Sequence, residues 1–177
     1  FRSGVVKTGA GIQVLAGTNT FTGNVAVNAG TLAARSDTAL GAGAVAVNGG
    51  TLDLTDTAVT NAITLNSGAL VGGQVAIANI TLVTGSVGTK LTGPGALTKS
   101  ANGTLTLSGD NDFAGGVTVS AGTLAATSDT ALGSGTVTVT AGTLDLTGAS
   151  IANAVSITGG TLQGGTINLA TDRKSTR

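Results

Sequence analysis

The sequence predicts an all-β chain wound as a parallel β-helix, a solenoid of about eight coils. Three observations predict it. The chain aligns on itself without a gap at an offset of 92 residues, so that Lys7 falls on Lys99, Phe21 on Phe113, Asp53 on Asp145 and Asn61 on Asn153. A shorter phrase, V-x-V-x-A/G-G-T-L, recurs inside each copy. The composition is that of small aliphatic side chains and frequent turns: 41% apolar residues, 30 glycines in 177 residues, 2% aromatic and a positive mean hydropathy. Such a chain is too apolar and too uncharged for disorder, and too poor in aromatics for an ordinary globular core.

The phrase sets the coil. It ends at Leu32, Leu52 and, more loosely, Leu70, and in the second copy at Leu124, Leu144 and Leu162, with steps of 20 and then 18 residues. From Leu70 to Leu97, and from Leu97 to Leu124, the step is 27, which predicts a longer excursion in those coils. Within a phrase, Val25 and Val27 alternate with Ala26 and Asn28, the period of two that marks a strand with one buried face. Ala29-Gly30 and Gly49-Gly50 then supply the bend, and Thr-Leu opens the next strand. Pro94 is the one proline, so little interrupts a hydrogen-bond ladder. One coil cannot bury its own apolar side; stacking the next at ~4.8 Å places Val25 near Val45 and then Ile63, in a rod about 40 Å long. Ser36 to Gly41, repeated at Ser128 to Gly133, carries a capping residue and a stop glycine and predicts a one-turn helical corner. Asp37 and Asp129 are then turn residues rather than ligands.

The organisation expected is one continuous solenoid: a first unit over 1–92, a second over 93–171, and a disordered basic tail over 172–177 containing Arg173, Lys174 and Arg177. The chain begins at Phe1, shows no signal peptide, and reads as part of something longer.

The stretch Lys99 to Gly148 resembles the autotransporter-associated β-strand repeat of Gram-negative surface proteins. The matching residues are Gly103 to Gly109, Asn111, Phe113, Gly115-Gly116, Gly122 to Leu124 and Ala131 to Gly133. The first copy departs from the pattern over Gly11 to Gly17 and rejoins it at Asn19-Thr20-Phe21. The resemblance implies a passenger segment of a type V-secreted protein. Such a passenger folds as a right-handed parallel β-helix outside the cell, associated with the outer membrane through a C-terminal barrel. Three phenylalanines cannot furnish the aromatic girdles of that barrel here.

Chemistry is sparse. Eight basic residues balance eight acids, all Asp, and leave no basic footprint for nucleic acid. His and Cys are absent, which removes Ser-His-Asp and Cys-His machinery and His- or Cys-based zinc sites, and no disulfide can form. No cofactor is expected. Asp110 and Asp112 are the one close acidic pair in a loop, an arrangement that can serve Ca²⁺ binding or glycoside chemistry; Thr18 and Thr20 stand in their places in the first copy, which favours a turn role. The repeated Asn19/Asn111 and Asn61/Asn153 are expected to ladder between coils or close turns. Outward positions such as Thr118, Ser120, Thr136, Thr138 and Thr140 make flat hydroxyl strips, and both rod ends expose unpaired strand edges with no capping helix.

The function expected is a non-enzymatic adhesive or display rod at the cell surface, partnered by itself or by surface molecules of other cells, with no insertion of this segment into a membrane. Two alternatives remain: a carbohydrate-active β-helix enzyme, and a surface-binding threonine array of the ice-binding kind. The arrays break in copy one, where Ala44 and Ala46 replace threonine.

Overall fold

The computed structural model describes residues 3–168, so the basic cluster at 172–177 lies outside the described residues. Every strand pair in it is parallel. The chain climbs as a β-solenoid of about nine turns, one more than the sequence period suggested.

Each turn carries two regular faces. The first holds Val5–Lys7, Val25–Val27, the start of Val45–Asp53, the start of Ile63–Val71, and Ile80–Leu82. It resumes with Leu97–Lys99, Val117–Val119, Val137–Val139 and Val155–Ile157. The second face holds Ile12–Leu15, Thr31–Ala34, the ends of the two long strands, Gly85–Val87, Thr104–Leu107, Thr123–Ala126, Thr143–Asp145 and Thr161–Gln163. A third side is mostly irregular, with short pairings of Gln74–Ala76 to Lys90–Thr92 and Ser150–Ile151 to Thr166–Ile167.

The extra turn explains the 27-residue step. Leu97 stands on the first face opposite Val117, whereas Leu70 pairs with Val87 on the second. The two leucines belong to different columns, and the step is one coil plus the walk between faces. No coil is long: neighbouring first-face residues Val5, Val25, Val45, Ile63 and Ile80 are 17 to 20 residues apart, as are Leu97, Val117, Val137 and Val155.

Alternation carries one side chain of each pair inward. Val25, Val27, Val45 and Val47 lie in the interior with Leu32, Leu52 and Leu70, while Ala26 and Ala46 stay half-exposed. In-register stacking makes each interior position a column of like residues, so one buried layer serves the coils above and below. The first face nevertheless breaks once. Ile80–Leu82 pairs only with Ile63–Val71, and Leu97–Lys99 only with Val117–Val119, while the second face runs through all nine strands. Gly93, with φ of +95°, and Pro94 lie in the connection across that break.

The Ser36 to Gly41 corner is not a helix. Ala39 N–H donates to the Ser36 carbonyl and Gly41 N–H to the Thr38 carbonyl, giving two overlapping four-residue β-turns, and Ala131 and Gly133 repeat them. With Leu40 and Leu132 wholly buried, the turn drops an apolar side chain into the rod before a further helical bond can form.

Candidate functional site

Asp110 and Asp112 flank a buried residue, Asn111, so alternation points both carboxylates outward. Their partners are structural. Asp110 accepts from Thr130 Oγ1 at 2.9 Å, one coil above, and Asp112 pairs with Lys90 at 2.8 Å, one coil below. Between them Asn111 Oδ1 accepts from Leu91 N–H, and its Nδ2 donates to the Ala131 carbonyl. One amide thus fastens three successive coils. Asn19 makes the corresponding bond to Ala39, and Asn61 and Asn153 each donate to two carbonyls of the preceding coil. Asp37 and Asp129 bind the backbone N–H of Ala58 and Ser150. These polar side chains serve as rivets between coils, on the third side where strand ladders are shortest.

Two open grooves run along this side. One is lined by Asp37, Asp56, Gln74 and Lys90, the other by Asp112, Asp129 and Asn153. Asp56 has φ of +62°, where the second copy uses Gly148. Among the described residues no three acidic, histidine or cysteine side chains come together in a way that could hold a metal ion.

Two sets of polar residues were not anticipated. Asn48 donates to Asn28 Oδ1 and Asn66 to Asn48 Oδ1, an exposed amide ladder on the corner between the two faces. Lys7 and Lys99 turn inward. Lys99 is fully buried, and its Nζ donates to the Ala101 carbonyl; Lys7 Nζ donates to Gly9 and, at 3.2 Å, to Ala29. Burial pushes the Lys99 ammonium below the ordinary lysine value. Gly122 closes this cradle: a Cβ on it would lie 2.4 and 2.5 Å from the Ala101 and Gly103 oxygens and 2.8 Å from Lys99 Nζ.

Asp53 carries a marked charge effect. The hydrogen bond from Arg35 holds its carboxyl down to about 2, with further donation from the Thr55 hydroxyl and N–H. A carboxylate held below its unfolded value of 3.8 stabilises the fold fully above that value, and the gain is lost as pH falls through about 2. The melting temperatures of the parent chain and an Asp53→Asn variant are therefore expected to differ above about pH 4 and converge towards pH 2. A difference unchanged across that range would remove Asp53 as the cause.

The outer faces are small and polar. Thr98, Thr118, Thr138 and Ser156 form one in-register column, and Thr104, Thr123, Thr143 and Thr161 another. In the first copy the equivalent of the former column is Val6, Ala26, Ala46 and Thr64. Among the described residues, Val5–Lys7 and Val155–Ile157 each pair on one side only. Ile12 is 73% exposed in the first coil and Ile157 is 46% exposed in the last.

The model of the passenger-associated-transport-repeat family matches this chain at 5–34, 97–126 and 141–163. The first two matches lie one 92-residue offset apart, and each contains one buried lysine and its corner. This chain contains passenger-associated-transport repeats. Among curated proteins it is similar to the adhesin BmaC autotransporter of Brucella suis biovar 1 (strain 1330), 38% identical over 124 residues. That alignment covers 68% of this chain but 3% of the relative, so the chain spans a small fraction of the length of the protein it matches. No solved structure matches. Together the repeats and the parallel coils make the chain a β-helix segment of the autotransporter passenger type.

Proposed function

We propose that this segment is a non-catalytic rod on the outer surface of a Gram-negative cell, serving display, adhesion or self-association. The observation that carries the reading is the division of labour among its polar groups. Asp110, Asp112, Asp37 and Asp129 are tied to neighbouring coils, and the outward columns through Thr118 and Thr143 present hydroxyl groups. Columns of threonine at coil spacing offer many weak, repeated contacts to a surface that repeats likewise, a second rod included. The likeness to an adhesin autotransporter supports the same reading.

Ile157 occupies in the second copy the place of Leu65 in the first, and Leu65 is fully buried because Leu82 pairs against it from the next coil. A further coil of that kind would cover the exposed edge and relieve its tendency to pair at random. Partners are then copies of the same rod or surface molecules of other cells, and nucleic acid is not among them.

The test is display. Bacteria carrying a passenger with this segment should aggregate, or attach to a surface, more than bacteria whose passenger lacks it. Replacing Thr98, Thr118 and Thr138 together by lysine should reduce that gain without changing surface abundance. Equal aggregation and attachment in all three strains would remove adhesion and self-association and leave a spacer.

A further inference from the structure

Eleven asparagines lie in the described residues, and in ten of them the side-chain amide holds a hydrogen bond. Asn102 holds none, and it is exposed. It is also followed by Gly103, in the wide corner between Leu97–Lys99 and Thr104–Leu107. The other Asn-Gly pair, Asn48-Gly49, lies inside the strand Val45–Asp53, with the Asn48 amide bonded to Asn28 on one side and Asn66 on the other.

We propose that Asn102 is a self-modifying site of this chain, converting to aspartate and isoaspartate through a succinimide. Gly103 N, on losing its proton, attacks the Asn102 Cγ. A C–N bond forms, the bond to Nδ2 breaks, and the amide nitrogen leaves as ammonia. Water then adds to one of the two ring carbonyls and opens the ring, giving a side-chain or a main-chain carboxylate. The net change is amide plus water to acid plus ammonia, with no oxidation. Glycine favours the attack because no Cβ shields its nitrogen and its backbone turns freely; Gly103 already sits at φ of +86°.

The place gives the reaction a consequence. Ala101 and Gly103, on either side of Asn102, supply the carbonyls beside the Lys99 ammonium. Conversion adds a negative charge at that corner, and the isoaspartyl product also lengthens its main chain by one carbon. The first copy has Ala10-Gly11 at the same position and cannot react. Ageing of the rod is thereby directed to the second unit.

The experiment is peptide-resolved mass spectrometry on the folded chain, held in mildly alkaline buffer at physiological temperature, with a urea-unfolded sample beside it. In the folded chain Asn102 should gain the mass of an amide-to-acid change, as two chromatographically distinct products, faster at higher pH. Asn48 should lag by roughly tenfold or more, the equivalent of one net hydrogen bond that must open first. In urea the two sites should react at similar rates. Equal rates at Asn48 and Asn102 in the folded chain, or an Asn102 that stays intact when folded and reacts only in urea, would overturn the proposal. An Asn102→Gln variant should show no early product.

Discussion

Replacing Phe113 by alanine should cost about 3–5 kcal/mol of stability, the range for truncating a buried phenylalanine. Phe113 is fully buried, and its carbonyl accepts the Ser134 N–H of the coil above. Its ring lies against Gly133, where a Cβ would stand 3.1 Å from it. The coil on its other side is engaged as well, through Asp112 N–H to Leu91 and Ala114 N–H to Gly93. A solenoid's stability is close to a sum over coils and their interfaces, so a cavity in an interior coil weakens two interfaces at once. Phe21 is the same residue in the first copy, but it lies in the first of the described coils and is only partly buried. Phe21→Ala is therefore expected to cost less than half as much. Denaturant midpoints of the two variants, followed by the β-sheet circular dichroism signal, compare them directly. Equal losses would mean that the end coil is covered as fully as the middle one.

Much of this architecture is legible in the residues, because each inward column is written in the sequence as one apolar letter at a fixed step. Val25, Val45 and Ile63 share a column as expected. The miscount of turns has a plain cause. Both faces bury valine or leucine, so Leu97 matches the second-face phrase by identity although its place after the 92-residue unit sets it with Val5 on the first face. The offset was the better guide than the letter. Asp110 and Asp112 were legible as a loop pair, and the structure leaves both exposed on either side of the buried Asn111, in an irregular segment without a turn. The lysines were not legible, since lysine is ordinarily a surface residue. The signal for them was parity. Lys7 stands two residues from Val5 and Lys99 two from Leu97, so a strand that buries the first buries the second. The amide ladder from Asn28 to Asn66 was hidden for the opposite reason: its members follow the inward valines at the start of a corner, where spacing alone does not say whether side chains stack or splay.

Removing Lys99 should be costly in a way that depends on what replaces it. Lys99→Ala leaves a cavity where the stem ran and the corner carbonyl of Ala101 without its lysine donor; together these are worth about 2–4 kcal/mol. Lys99→Met refills most of the stem and leaves only the Ala101 carbonyl unpaired, so about 1–2 kcal/mol is expected. Lys7 lies in the end coil and is partly reached by solvent, so Lys7→Ala should fall below Lys99→Ala. The sign of the pH effect separates charge from shape. Because burial lowers the Lys99 pKa below its unfolded value of 10.5, the folded chain gives up this proton before the unfolded one. Between the two values the unfolded state binds more protons, so the contribution of Lys99 to stability rises with pH there, having been at its least below the folded value. The parent chain should thus gain on Lys99→Met as pH climbs towards 10.5, measured as the difference in denaturation free energy at matched pH. A gap that instead narrows on the alkaline side would show that the ammonium is held more strongly by its carbonyls than burial penalises it, and would reverse the assigned direction of its pKa.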